Sequence, residues 1–402
     1  MGVDISDIVE FREIGLDELR GKSIAIDGYN TLYQFLSIIR QPDGTPLMDR
    51  NGKITSHLSG LFYRTVNIME MGIKPAYVFD GKPPLLKGRT VLERIERREK
   101  AEIEWKQALE SGDMEKAKVM SQQSSKLTKE MVEESKQLLS LMGIPCVQAP
   151  SEGEAQAAYM ALKGSVYASA SQDFDSLLFG APKLIRNLTI TGKRKIPRKN
   201  IYRDIKPEII ELESVLNKLE IKREQLVDIG ILIGTDFNEG VKNIGPKKAL
   251  KYIKTYGSLE KIIEALNIEI ADYETIRSIF LNPEVTDNYI LEWKDFNEKE
   301  LINFMVNMHD FSEERVIGAI EKLREFKLSR KHFKKINFLK FLIIHIILVI
   351  LYAKNFIISS FFELILVIDL RKSLNLLYIT ECNISTFILY LYSSDNFPFI
   401  FL

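Results

Sequence analysis

Residues 23–28 read SIAIDG and residues 76–81 read AYVFDG. In both, a short apolar run gives way to an aspartate and then a glycine: Ser23 to Ile26 leads into Asp27 and Gly28, and Ala76 to Phe79 into Asp80 and Gly81. Apolar runs of this length, bounded by turn residues, read as fully buried strands. A third run, Val166 to Ala170, leads into Ser171-Gln172-Asp173-Phe174-Asp175. Helical periodicity fills the intervals, over Leu58 to Glu70 and Glu154 to Leu162. Strands alternating with helices predict an α/β fold whose parallel sheet is covered on both faces.

From Lys87 to Met142 the chain turns charged and helical, with Glu93/Arg97, Glu96/Lys100 and Glu102/Lys106 at i,i+4 spacing and a break at Ser111-Gly112-Asp113. This reads as a helical insertion between two parts of one α/β domain. A strand-like basic segment, Leu188 to Tyr202, comes next, and helices continue to about residue 335. No internal repeat is visible.

The acids at the strand ends carry the functional reading. Ligands of parallel α/β sheets bind in the crevice outside the carboxyl ends of the strands, so Asp27 and Asp80 are candidates for one site. The plainer alternative for either alone is a cap or turn aspartate beside glycine. Pro150-Ser151-Glu152-Gly153-Glu154 opens a helix, where Ser151 and Glu154 fit a capping box and Glu152 is left over. Of Asp173 and Asp175, one could cap the following helix. Asp236 follows the apolar run Leu232-Ile233 after Gly234-Thr235. Seven carboxylates at element ends would push one another's pKa values up unless divalent cations hold them ionised. Magnesium suits such a site: it prefers hard oxygen ligands, keeps several waters, and works in pairs about 4 Å apart on phosphodiesters.

Gly240-Val-Lys-Asn-Ile-Gly245-Pro-Lys247-Lys248 lies between two helical runs. Glycines at both ends of a short turn let backbone approach a phosphate, and the following helix N-terminus offers free N–H groups. This looks like a helix-hairpin-helix, a sequence-independent grip on nucleic-acid backbone; an ordinary helical corner is the alternative. Lys193, Arg194, Lys195, Arg198 and Lys199 form a second basic run, equally readable as a solvated hairpin or a DNA contact.

Composition bounds what else the chain could be. With 402 residues, 46% hydrophobic and 27% charged, it is neither disordered nor fibrous. Lys plus Arg and Asp plus Glu number 55 each, so a polyanion would have to be met by local patches. Cys146 and Cys382 make no disulfide framework, and His57, His309, His332 and His345 show no ligand spacing, which leaves carboxylates to hold any metal. The acidic N-terminus MGVDISDIVE has no secretory pattern, and the expected location is cytoplasmic. Composition breaks at residue 336. Residues 336–402 contain no glycine, one proline and one alanine, and their longest uncharged apolar run, Phe341 to Ala353, falls short of the roughly 20 residues of a membrane span. A non-native reading frame is the favoured explanation over a membrane hairpin or a folded extension.

The segments MGVDISDIV, IAIDGYNTLYQFL, GIKPAYVFDGKPPLLK, APSEGEAQAAYM, ASQDFDSLLFG, LIGTDFNEGVKNIGPKKA and FSEERV resemble the flap endonucleases, close to their archaeal branch, among the structure-specific 5′ nucleases. The resemblance runs through nearly all of residues 1–335. It implies a parallel-sheet, PIN-like nuclease core with a helical arch and a helix-hairpin-helix. The expected division is 1–100 and 136–258 for the two parts of the core, 101–135 for the arch, 259–335 for a C-terminal helical region and 336–402 for the tail.

By the same resemblance, Asp27, Asp80, Glu152, Glu154, Asp173, Asp175 and Asp236 are metal ligands for two Mg2+, with Mn2+ as a substitute. Lys87 and Arg94 act on the scissile phosphate, Tyr33 stacks near the cleaved nucleotide, Arg40 contacts DNA, and Gly2 lies near the active site. The implied activity is 5′-flap cleavage with 5′-to-3′ exonuclease action, in Okazaki-fragment maturation and base excision repair, by a monomer without membrane attachment. A non-catalytic junction binder and a metal-dependent ribonuclease are the rivals. The short C-terminal motif with which relatives dock on the sliding clamp does not follow Lys335.

Overall fold

The computed structural model describes residues 2–41, 43–190, 192–195 and 202–324. Among the described residues nine strands fall in chain order as β1 (Arg12–Glu13), β2 (Ser23–Asp27), β3 (Lys74–Phe79), β4 (Cys146–Gln148), β5 (Ala168–Ala170), β6 (Lys183–Arg186), β7 (Gly192–Lys195), β8 (Tyr202–Ile205) and β9 (Glu208–Glu211). Seven of them form one sheet in the order β1-β9-β6-β5-β2-β3-β4. The run β6-β5-β2-β3-β4 is parallel, and β9 and β1 close one edge antiparallel. Register sets Ile26 level with Tyr77 on one side and Ala170 on the other. The carboxyl ends of the three strands read from sequence therefore open side by side.

The sheet is apolar on both faces because helices cover both. Ile24, Ile26, Tyr77, Phe79 and Ile185 point to one face; Ala25, Val78 and Leu184 point to the other. The first face packs on α1 (Gly28–Ile38), α2 (Ser56–Glu70) and the later helix α5 (Lys129–Leu141). In α2 the buried Leu58, Leu61, Phe62 and Val66 recur at helical spacing. Before α5 come α3 (Gly88–Glu110) and α4 (Met114–Gln123), packed on each other. The other face carries α6 (Gly153–Leu162), α7 (Asp175–Leu178) and the run α8 (Leu212–Leu219), α9 (Arg223–Ile233), α10 (Pro246–Tyr256), α11 (Leu259–Leu266) and α12 (Tyr273–Leu281). An extended strap then returns along the sheet edge, where Trp293 Nε1 donates to the Pro75 carbonyl at 2.6 Å, and leads to α13 (Glu298–Ile302).

Three sequence readings change. The charged stretch Lys87 to Met142 is not one insertion: α5 buries Val132, Leu138 and Leu139 in the main core, which leaves α3 and α4 as the outlying pair. Their break falls where expected, with Gly112 at φ 75° and Asp113 Oδ1 accepting from Lys116 N at 3.0 Å. The Leu188 to Tyr202 segment is not a single strand; a 3-10 turn at Leu188–Ile190 precedes the antiparallel hairpin β7–β8. Val166 to Ala170 is strand only from Ala168 onward. The tail at 336–402 lies outside the described residues. Among the described residues, no helix is long and apolar enough to cross a membrane.

Gly60 of α2 faces Phe35 of α1 so closely that a Cβ would lie 2.3 Å from the ring. Gly60→Ala is expected to lower stability by about 1–3 kcal/mol through overpacking, read as a fall in the urea midpoint with an unchanged m-value. An unchanged midpoint would mean that the α1–α2 contact yields freely.

Candidate active site

All seven acids singled out in the sequence gather at the carboxyl end of the parallel strands. Asp27 ends β2 and also caps α1, its Oδ1 accepting from Asn30 N at 3.0 Å; the cap reading and the site reading hold for one residue. Asp80 leaves β3, and its Oδ1 accepts from Gly153 N at 2.7 Å. Glu152 occupies the cap position of α6 without capping it, and instead receives Lys87 Nζ at 2.5 Å. Asp173 Oδ2 accepts from Asn30 Nδ2 at 3.1 Å. Asp175 Oδ1 accepts from Val3 N at 2.6 Å. Asp236, just beyond α9, receives Arg94 at 2.5 Å and Lys87 at 3.5 Å.

Two local expectations fail here. The capping box between Ser151 and Glu154 does not form: α6 starts at Gly153, and the Glu154 carboxylate turns inward among the other acids. Neither Asp173 nor Asp175 caps α7, because Phe174 holds the cap position.

Repulsion joins the seven into one electrostatic unit. Burial pushes Asp27 and Glu154 well above the usual carboxylate range; Asp80 and Asp173 add to the first effect, and Asp175, Asp27 and Asp173 to the second. Burial also raises Asp80, Glu152 and Asp173, and lifts Asp175 to about 7 with help from Asp173 and Asp236. Asp236 is the exception. Burial would raise it too, but the Arg94 and Lys87 charges hold it below its ordinary value. Burial would lower Lys87, and Glu152, Asp236 and Asp80 outweigh that and keep its ammonium charged.

A divalent ion fits this donor set. Every candidate ligand is a hard carboxylate oxygen, and Glu154 Oε1 is buried with no hydrogen-bond partner among the described residues. Among the described residues no three acidic, histidine or cysteine side chains close a ready-made coordination shell. A hard ion that keeps most of its waters needs only one or two carboxylates at a time.

The remaining candidates lie around this pocket. Gly2 abuts it so tightly that a Cβ would sit 2.7 Å from both Asp175 oxygens. Lys87 precedes α3 and Arg94 lies on it, so the base of the α3–α4 pair is tied to the acids; Thr90 Oγ1 adds a bond to the Asp236 carbonyl at 2.8 Å. The Tyr33 ring carries the Arg98 guanidinium at 4.5 Å, and its hydroxyl accepts from Arg98 at 3.0 Å. Arg40 is engaged internally, with the Leu36 and Gly44 carbonyls and Ser125 Oγ at 2.8–2.9 Å. Gly240, at φ 74°, crosses the backbone at Ile233 and Gly234, where a Cβ would come within 2.4 Å. Gly245 caps α10 with open space before it, Pro246 is the first helical residue, and Lys247 is exposed. Lys248 Nζ donates to the Asn243 carbonyl at 3.0 Å. The side chains of Lys193 and Arg194 lie outside the described residues.

Sequence reading passed over Asn30 and Arg98. Asn30 follows Asp27 by three residues and Arg98 follows Arg94 by four, so helical spacing could have drawn both in.

Family models of the XPG N-terminal domain and the XPG I-region match residues 3–101 and 143–236. A flap endonuclease 1 of Pyrococcus abyssi is 59% identical over 300 residues, which cover 74% of this chain and 87% of that protein. One from Archaeoglobus fulgidus is 58% identical over 295 residues, 73% of this chain and 88% of its own. Among solved structures, flap endonuclease-1 from Methanococcus jannaschii matches with a TM-score of 0.65 at 45% identity, covering 82% of this chain and all of that one. The catalytic core of Rad2 in complex with a DNA substrate matches at 0.61 and 25% identity, covering 80% of this chain and all of that one.

Asp175 offers a pH test of the crowding. Its proton is held more tightly in the folded chain than in the unfolded one, so its contribution to stability is full below about pH 4 and falls as pH rises towards 7. In EDTA, Asp175→Asn is expected to melt higher than the parent at pH 8 and near it at pH 4. Equal melting temperatures at pH 8 would show that this carboxylate ionises at no cost.

Proposed function

The chain belongs to the flap endonuclease family, and from that premise we propose which residues do what in it. It is a structure-specific flap endonuclease, a hydrolase of DNA phosphodiester bonds in a metal-dependent family. The observation that carries the residue assignment is the set of seven mutually repelling carboxylates at the strand ends, with Lys87 just before α3 and Arg94 on it lying against them.

In this reading Asp27, Asp80, Glu152, Glu154, Asp173, Asp175 and Asp236 would hold two magnesium ions, with manganese able to replace them. When bound, such ions supply Lewis acidity to the scissile phosphate and lower the pKa of water. The protein's own residues bind and aim the substrate. Lys87 and Arg94 stand beside the acids and offer positive charge where a phosphate gains negative charge in the transition state. Tyr33, one helix turn and a half beyond Asp27, presents a ring to the nucleotide beside the cut. Helices α3 and α4 form the arch through which the single-stranded 5′ end passes.

Duplex is held by the hairpin between α9 and α10. The open backbone at Gly245 and the free N–H groups of α10 meet phosphate, and Lys247 and Lys248 add charge without reading bases. Arg40, Lys193 and Arg194 would contribute further backbone contacts, and Gly2 leaves room at the acids that a side chain would fill. The cut falls on the 5′ flap near the downstream duplex, with a weaker 5′-to-3′ exonuclease action, as Okazaki-fragment maturation and base excision repair require. The enzyme acts inside the cell as a monomer, and family-type clamp docking needs a motif not found after Lys335.

A labelled double-flap DNA tests this directly. The full chain is expected to release the 5′ flap in Mg2+ and to release nothing in EDTA. Asp80→Ala or Asp173→Ala should cut on the order of a thousandfold more slowly, the rate equivalent of about 4 kcal/mol of transition-state stabilisation, while still binding the junction. Near-parental cleavage by either variant would break the ligand assignment. Lys247→Ala combined with Lys248→Ala should weaken binding to any duplex sequence and flatten its salt dependence, by about 0.9 in log–log slope for each phosphate no longer neutralised. Weakening confined to one sequence would contradict the backbone-grip role.

A further inference from the structure

Asn30 touches two of the acids at once. Its backbone N–H donates to Asp27 Oδ1 at 3.0 Å, and its side-chain amide donates to Asp173 Oδ2 at 3.1 Å. Those aspartates leave β2 and β5, adjacent strands of the sheet, so one residue spans the seam between them. Only the NH2 end of the amide can face an ionised carboxylate, because the carbonyl end accepts hydrogen bonds and donates none.

The residue type is informative at this position. Asn30 stands third in α1, where a helix favours an acid and where Glu or Gln commonly reaches back to the cap. Yet α1 has no acid in its first turn. Aspartate would have nearly the same shape, but it would set an eighth carboxylate against Asp173, whose ionisation burial already opposes. Asparagine keeps the size, adds no charge, and gives Asp173 an N–H. The Gly2 backbone supplies Asp173 with another.

We propose that Asn30 is a positioning residue for the reaction: its side-chain amide fixes the orientation of the Asp173 carboxylate for the divalent ion. The inference rests on the metal-site reading above. Donors behind metal-binding carboxylates typically govern metal affinity or activity by roughly 10- to 100-fold. Asn30 would do so through Asp173 and without titrating.

The test uses the full chain with Asn30→Leu, which keeps the size and removes the donor, and Asn30→Asp, which keeps the shape and reverses the polarity. Both retain the backbone N–H to Asp27, so the α1 cap survives. Mn2+ binding followed by electron paramagnetic resonance is expected to weaken roughly tenfold or more in both, and half-saturating Mg2+ for flap cleavage to rise by a similar factor. Flap-DNA affinity in EDTA should stay within about twofold of the parent, and the melting temperature of Asn30→Leu without divalent ions should stay close to it. Asn30→Ser, a shorter donor, should recover part of the Mn2+ affinity. Parental Mn2+ binding in both Leu and Asp variants would overturn the proposal even if cleavage slowed. A parent protein that binds no Mn2+, or binds it equally well with Asp80→Ala, would instead overturn the metal-site reading beneath it.

Discussion

Seven carboxylates share one crevice, and each that ionises makes the next harder to ionise. Much of the surrounding structure answers that repulsion. Backbone N–H groups are directed at the acids: Asn30 at Asp27, Gly153 at Asp80, Val3 at Asp175. Two of these donors lie beside backbone packed too closely for a side chain, since a Cβ on Gly2 or Gly153 would come 2.7 Å from a carboxylate oxygen. The N-terminal segment can serve this purpose only because Val3, Ile5 and Val9 are buried in the helical core beneath it. Lys87 and Arg94 bring in charge from the start of a helix that contributes little else to the core.

Parallel-sheet topology is what allows acids so distant in the chain to meet. Adjacent parallel strands end on the same side, so a residue placed just after each strand arrives at the same crevice whatever the length of the intervening crossover. That is why SIAIDG and AYVFDG are informative as sequence alone: the apolar run announces the strand, and the acid marks its exit. The signal is weaker for Glu152 and Glu154, where local helix-start chemistry gives a complete and mistaken account of Glu154. Capping rules score bonds within a few residues and are blind to the field of acids arriving from other strands. The extent of the insertion is obscured for a related reason. Helix α5 shows charge on its outer face, and Val132, Leu138 and Leu139 on its inner face announce core membership only once the sheet is there to receive them. Helical spacing places Asn30 beside Asp27 and Arg98 beside Arg94, but their partners Asp173 and Tyr33 lie far away along the chain, so the sequence marks the positions and not the contacts.

Net charge takes on a different meaning in this setting. The chain balances 55 cations against 55 acids, which on its own argues against affinity for a polyanion. Seven of those acids are sequestered at the strand ends. The rest of the chain therefore carries an excess of positive charge, and part of it is concentrated around α10 in Lys247, Lys248, Lys251 and Lys254. Attraction to nucleic acid and repulsion from the reacting phosphate coexist because they act at separate places.

Asp236 is where those places are joined. It follows α9 in the same loop that turns at Gly240 and ends at Gly245, the cap of α10. It receives Arg94 from α3, its carbonyl receives Thr90, and its charge is felt by Asp80, Glu152, Asp173 and Asp175. One residue thus links the turn between α9 and α10, helix α3 and the acid pocket. Gly245 stands at a set separation from the acids, because the loop between them is pinned: Asn238 accepts from Thr235 and donates to the Ile231 carbonyl, and Gly240 lies against Ile233 and Gly234. In the proposed reading, the distance between the gripped duplex and the cut phosphate is then a property of this loop rather than of any base sequence, which is what cleavage directed by DNA shape requires.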